Sequence, residues 1–154
     1  MSSTYLQDTA DKRSVEETLY RFAAGIDLQD TDLLASALAE NAVSDFRPAA
    51  AKAGFEYPVL EGRDTIVAAL SGALSHVDTT HSVSNPRASI NGDKAHLDAL
   101  VEAQHVLKND PSRHYLMKNR YDVAMVRQGD VWLIERVTVD NVWRTGDLAA
   151  LFGN

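Results

Sequence analysis

From Ala95 to Leu107 the chain alternates with a period of two. Ala95, Leu97, Ala99, Val101, Ala103, His105 and Leu107 fall on one side, and Lys94, His96, Asp98, Leu100, Glu102, Gln104 and Val106 on the other. An extended strand sends successive side chains to opposite faces, so the spacing predicts a strand over 94–107 with one apolar face. Asn91-Gly92-Asp93 precedes it. Asn-Gly supplies the positive φ angles of a tight hairpin turn, which makes 79–90 the preceding strand, with 94–107 paired to both its neighbours. Asn109-Asp110-Pro111-Ser112 breaks the run. A third strand over about 115–126 follows, then Gln128-Gly129-Asp130 and a fourth strand over 131–143. A meander this long must cover its apolar face.

The upstream third of the chain supplies the cover. Val15, Leu19, Phe22, Ala23 and Ile26 recur at helical spacing, which predicts a helix over 12–27. Ser14 with Glu17 has the form of a capping box, and Asp8 or Asp11 can cap an earlier start. Asp30 or Thr31 can cap a second helix carrying Leu34 and Leu38. A short strand is expected over 42–46, an irregular stretch with Pro48, Gly54 and Pro58 over 47–61, and a third helix over 64–74 with Ile66, Leu70 and Leu74 on one face. A short helix over 147–152 ends the chain. Helices followed by strands indicate an α+β domain. The expected form is a cone, a curved antiparallel or mixed sheet wrapped around three N-terminal helices and enclosing an apolar pocket of the kind that takes small molecules.

With 154 residues, one domain over 1–154 is expected, with 1–10 a flexible N-terminal segment. A chain of this size buries roughly 68–70% of its extended surface and needs no disulfide or metal staple. The 22 acidic and 15 basic residues leave a net charge of −7, which argues against nucleic acid as a partner. Cysteine is absent, removing thiol nucleophiles and thiolate metal sites and fitting a reducing compartment. No apolar run reaches the roughly 18 residues of a membrane span, and Met1-Ser2-Ser3-Thr4-Tyr5 lacks the regions of a signal peptide. The expectation is a cytoplasmic protein that binds neither nucleic acid nor membrane.

Few residues carry chemistry. His105 sits at inward parity among Ala, Val and Leu, where an unpartnered imidazole costs about 1–3 kcal/mol. It is either a core histidine bonded to a neighbouring strand or a pocket group. His81 shares parity with Val83, and an imidazole can serve as a general base. Pattern alone favours a structural or surface histidine. Asp27 closes the first helix, where the macrodipole disfavours a carboxylate. It is either a solvated turn residue, with Asp30 and Asp32 nearby, or a carboxylate faced by a histidine. Tyr115 and Tyr121 share parity with Met117, Val123 and Met125, either as pocket hydroxyls or as core aromatics, and Asn119 on that face needs a partner. His114, Lys118, Arg120 and Asp122 fall on the other face. No Gly-rich phosphate loop, His-x-x-x-His pair or serine elbow occurs, so neither a metal nor a cofactor is expected.

The order Ile26-Asp27-Leu28-Gln29-Asp30-Thr31-Asp32, Ser44-Asp45-Phe46-Arg47, His81, His105, Gly129-Asp130-Val131-Trp132, Trp143-Arg144-Thr145-Gly146-Asp147 and Leu151-Phe152 resembles the SnoaL-like branch of the nuclear-transport-factor-2-like superfamily, most closely the scytalone dehydratases. The resemblance covers nearly the whole chain. It implies a cone-shaped α+β barrel with a buried pocket and an Asp–His pair. In that pair the histidine removes a proton next to the leaving group while the aspartate holds the imidazole. Asp27 and His81 match these positions, and His105 matches a second pocket histidine. The family's two carbonyl-polarising tyrosines are replaced by Ile26 and Phe46, its pocket asparagine by Tyr121, and the tyrosine of the related bile-acid dehydratases by Phe22. These departures argue against scytalone itself as substrate and leave Tyr121, Tyr115 or His105 for the electrophilic role.

The resulting expectation is a cofactor-independent lyase acting on a small apolar cyclic or polyketide-like molecule. Asp27, His81, His105 and Tyr121 would be catalytic, and Phe22, Ile26, Phe46, Tyr115 and Asn119 would bind substrate. An isomerase or cyclase with the same base, or a non-catalytic ligand-binding or accessory subunit, are the alternatives. Apolar residues on the outer sheet face predict a homo-oligomer, and the resemblance of Trp143-Arg144-Thr145-Gly146-Asp147 to the end of the scytalone dehydratases implies a trimer before a dimer.

Overall fold

The structure, a computed structural model, describes residues 2–154. Helix α1 runs Ser3–Asp27, because Ser2 caps it by accepting from the Tyr5 amide at 3.2 Å. It therefore begins well before residue 12. Residues 3–10, expected as a flexible lead, are its first turns, and Ser14 and Glu17 lie inside the helix rather than at its cap. The helix ends where Gln29 takes a left-handed φ of 51°, with the Leu28 amide bonded to the Ala24 carbonyl and the Asp30 amide to the Gly25 carbonyl. That stop places Asp27 on the last helical turn.

Helix α2, Thr31–Ser36, is capped by Asp30. Leu38 does not continue it, but opens strand β1, Leu38–Asp45. Residues 47–61, expected to be irregular, contain helix α3, Arg47–Ala53, and the short strand β2, Leu60–Glu61. Pro48 starts α3, where its missing amide costs nothing, and Gly54 ends it in a left-handed conformation. Helix α4 is Arg63–Ala73, so four helices precede the meander rather than three. The meander is β3 Val77–Asn91, β4 Lys94–Leu107, β5 His114–Gln128 and β6 Val131–Gly146, followed by helix α5, Leu148–Leu151.

The six strands form one sheet in the order β2-β1-β6-β5-β4-β3. Every pairing is antiparallel except β1 with β6, so the sheet is mixed. Two bulges in β6 sharpen its curvature. The register skips Glu135 between Arg136 and Ile134, and Val142 between Trp143 and Asn141. The concave face packs on Val15, Leu19, Phe22 and Ile26 of α1 and on Leu34 and Ile66, all buried. The Thr18 hydroxyl donates to the Trp132 carbonyl at 2.8 Å and fixes α1 across the sheet. No helix among the described residues is long and apolar enough to cross a membrane.

Candidate active site

The mismatch between curved sheet and straight helices leaves a cavity of about 410 Å³. Phe22 and Ile26 of α1, Ser44 and Phe46 at the end of β1, His81 of β3, His105 of β4, and Met117, Asn119 and Tyr121 of β5 line it, with Phe55, Tyr57, Leu151 and Phe152 toward one end. The wall is mostly apolar and aromatic. Phe46 meets Tyr57 edge-on at 5.9 Å, and Phe55 meets Phe152 edge-on at 5.1 Å. Among the described residues, no lysine or arginine lines the cavity.

Asp27 and His81 come together 54 residues apart in sequence. Nδ1 of His81 lies 2.6 Å from Oδ1 of Asp27, the His81 amide donates to Oδ2 at 2.8 Å, and the Thr79 hydroxyl donates to Oδ1 at 2.9 Å. Burial pushes the Asp27 carboxyl up, but the hydrogen bonds from His81 and Thr79 outweigh it and hold the group below the usual carboxylate range. Asp27 is therefore ionised, and Nδ1 of His81 must be the donor. That sets the tautomer and leaves Nε2 as the basic nitrogen. Nε2 has no protein partner among the described residues, and the ring lines the cavity with its side chain only 7% exposed.

The His105 ring stands edge-on to His81, with centroids 6.3 Å apart. Its Nδ1 donates to the Tyr115 carbonyl at 2.9 Å. Burial lowers its pKa to about 4, more than the Tyr115 carbonyl bond can restore, so it is neutral at pH 7. Nε2 of this neutral ring carries a lone pair and can only accept. A neutral His105 donating to a substrate oxygen, the role expected for it, does not fit this tautomer. Burial also pushes the Tyr121 phenol up, with the Asp27 charge adding to it, so Tyr121 stays a neutral O–H donor.

Of the expected substrate-binding residues, Phe22, Ile26, Phe46 and Asn119 lie on the cavity wall. Tyr115 is buried but off the wall, and its contribution is the carbonyl that orients His105. Reasoning from sequence missed Thr79, although it shares parity with His81, and missed Ser44, Phe55 and Tyr57. One trio of metal-ligating side chains, His96, Asp98 and Asp122, has ligand atoms within 4.8 Å of one another among the described residues. It lies on the outer sheet face, and its His96 Nε2 is already held by Asp122 at 2.6 Å.

Residues 7–138 match the model of the SnoaL-like domain. The chain belongs to the SnoaL-like domain family. This SnoaL-like chain is 29% identical over 151 residues to the terrestric acid biosynthesis cluster protein E of Penicillium crustosum, covering 94% of this chain and 90% of that one. Its fold is similar to a provisionally named scytalone dehydratase from Novosphingobium aromaticivorans, with TM-score 0.79 and 19% identity over 96% of this chain and 92% of the other. It is also similar to the type 3 hexachlorocyclohexane dehydrochlorinase of Novosphingobium barchaimii, with TM-score 0.76 and 17% identity over 93% and 94%. The SnoaL-like domain thus shares its cone with structures named for elimination chemistry.

Proposed function

We propose that the protein is a cofactor-independent lyase of the dehydratase type, acting on a small, uncharged, cyclic or polyketide-like β-hydroxy ketone. The observation that carries this reading is the 2.6 Å contact between His81 Nδ1 and Asp27, which leaves Nε2 as a base on the cavity wall. A wall without lysine or arginine favours a substrate lacking carboxylate or phosphate. The Penicillium crustosum relative, named for a biosynthesis cluster, fits a secondary-metabolite substrate.

In this mechanism His81 Nε2 takes the proton from the carbon between carbonyl and carbinol. Asp27 stabilises the imidazolium that forms, and the Tyr121 hydroxyl donates to the carbonyl oxygen as charge develops there. The β C–O bond then breaks. His105 is neutral and has already given its one proton to Tyr115, so it accepts from the substrate hydroxyl and orients it. The imidazolium of His81 returns its proton to the departing oxygen. Water leaves, and the base is regenerated. One imidazole serving both steps requires proton and hydroxyl to leave from the same face of the ring.

Incubation with 3-hydroxy-1-tetralone tests this. The expected product has lost one water and, after tautomerisation, is 1-naphthol. His81→Ala should lower turnover at least about 100-fold, the low end for general acid–base catalysis. A product of unchanged mass would point instead to an isomerase or cyclase using the same base. Tight binding with no turnover of any cyclic β-hydroxy ketone would point to a ligand-binding or accessory role.

A further inference from the structure

The buried asparagine pair on β5 and β6 has no place in the mechanism above. Asn119 is 1% exposed and Asn141 2%. They face each other across the strand pair, and Nδ2 of Asn141 donates to Oδ1 of Asn119 at 2.9 Å. The same Nδ2 reaches the carbonyls of Trp143 at 3.0 Å and Lys118 at 3.3 Å, while Arg144 donates to Oδ1 of Asn141 at 3.2 Å. Reversing the Asn141 amide would set its oxygen against two carbonyls and its nitrogen against a guanidinium. Its orientation is therefore fixed, and with it that of Asn119. Asn119 can accept from Asn141 only through Oδ1, so its Nδ2 is the end left for the cavity that the residue lines. No protein acceptor meets that N–H₂ among the described residues, and it is not sealed in the core.

The Val142 bulge makes this arrangement possible. Inward parity on β6 passes from Val137, Val139 and Asn141 to Arg144 because the register skips one residue. Arg144 pairs with Met117 on the inward side and reaches back to Asn141. Without the bulge, Arg144 would point outward and the pair would have no anchor. An amide donor that faces the cavity with no protein acceptor is free to bond a ligand oxygen.

We infer that Asn119 is a substrate-binding residue whose Nδ2 donates to a carbonyl oxygen of the ligand, and that Asn141 and Arg144 are positioning residues that fix which end of its amide faces the cavity. Asn119 and Tyr121 are neighbours on the inward face of β5, with backbones about 7 Å apart along the strand, so their side chains can converge on one carbonyl oxygen. His81 lies two strands away, across Ala103 from Met117 and so two residues along from Asn119, which puts the two backbones about 12 Å apart on the sheet. The two side chains reach into that gap, so a ketone held with its oxygen at β5 turns the adjacent acidic carbon toward His81. The inference rests on the carbonyl-bearing substrate class proposed above, but it is tested without turnover.

The probes are 1-tetralone, its ¹³C-carbonyl form, and the hydrocarbon tetralin. Wild-type protein should bind tetralone about three- to tenfold tighter than tetralin, the worth of one net hydrogen bond, and should lower the bound carbonyl stretch. In Asn119→Leu, tetralone should lose that preference and most of the frequency shift, while tetralin binds as before. In Asn141→Asp the carboxylate should draw the Asn119 nitrogen toward itself and turn Oδ1 to the cavity, so the preference between tetralone and the alcohol 1-tetralol should move toward the alcohol. Arg144→Met should shrink the frequency shift, and Arg144→Lys should restore part of it. An undiminished shift in Asn119→Leu overturns the inference, as does equal wild-type affinity for tetralone and tetralin or failure of tetralone to bind. If Asn141→Asp does not fold, Asn119→Leu still decides. His81→Ala leaves the shift in place, so failure of the base assignment and failure of this donor are separable.

Discussion

Asp27 ends a helix where backbone carbonyls already gather negative charge, and it stays ionised because Thr79 and two groups of His81 converge on it. Two of those donors come from the residue it orients, which leaves Thr79 as the independent one. Thr79→Val keeps the shape and removes the hydroxyl. It should lower kcat about three- to tenfold through a less firmly held carboxylate, measured alongside a melting curve to show the fold intact. His105 offers a pH test. Its folded pKa of about 4 lies below the ordinary 6.5, so the unfolded chain takes up the proton first as pH falls. The stability owed to a neutral His105 is complete above about pH 6.5 and is lost as the pH drops toward 4, in total on the order of 3 kcal/mol. Asp45, bonded to Arg47 and held to about 2, contributes its slope only below that window. His105→Asn keeps a nitrogen donor for the Tyr115 carbonyl and removes the titrating atom. It should flatten the melting temperature between pH 6.5 and 4, and at pH 7 reduce turnover more than ligand affinity. Thermal melts across pH and steady-state kinetics check the two halves.

Among the elements, the long strands were the most readable from sequence, because period two over 94–107 has no other explanation. The turn itself falls one residue later than the Asn-Gly pair implied, on Gly92-Asp93, with Asn91 paired to Lys94 and only Gly92 at a positive φ. The first helix was readable along its apolar face but not at its start, since Ser2 caps as well as any internal serine. Leu38 sits four residues after Leu34 and so reads as helix, yet pairing with Ile134 of β6 draws it into a strand. Helix α3 hid behind Pro48 and Gly54, which are its first turn and its stop. The Asp27–His81 pair followed from family resemblance rather than from pattern, and the bulge that turns Arg144 inward left no local signal. Gly25 shows how tightly α1 and α2 pack. A Cβ there would lie 2.6 Å from the Leu34 Cα and 2.5 Å from its amide nitrogen, both backbone atoms. Alanine would gain about 1 kcal/mol of helix propensity but overpack a fixed contact at about 1–3 kcal/mol. Gly25→Ala should therefore lower the melting temperature, and it should also loosen the turn that holds Asp27. Calorimetry beside a kcat measurement reads both effects.

For the molecule as a whole, the cone and its cavity follow from helices that must cover a sheet with one apolar face, which the alternation foretold. Cavity size and the orientation of amides within it depend on bulges and tertiary contacts, which periodicity does not encode. The convex face carries the partly exposed Leu100, Val106, Leu116, Ala124 and Val126, and at its end Val142 and Trp143, each 46% exposed. Apolar side chains across an open sheet face favour association. The prediction is a homotrimer, seen in sedimentation as about three times the 16.9 kDa chain. Sedimentation at twice the mass of a single chain would indicate a dimer, and Trp143→Glu should shift either assembly toward monomer.

The parallel pairing of β1 with β6 has a consequence for how the chain is made. β1 lies between β2 and β6, so its long edge waits for a partner 93 to 96 residues downstream. On the ribosome, Asp27, His81, His105 and Asn119 have all been synthesised before that partner exists, and β3, β4 and β5 can already zip together. The wall supplied by Ser44 and Phe46 closes only when β6 is complete. Non-local pairing of this kind slows folding and leaves a strand edge exposed in the interim. A nascent chain stalled near residue 130 would hold the candidate base and its orienting carboxylate but no closed chamber for a substrate. The last strand of this sheet to leave the exit tunnel is therefore the one that turns a set of reactive side chains into a site.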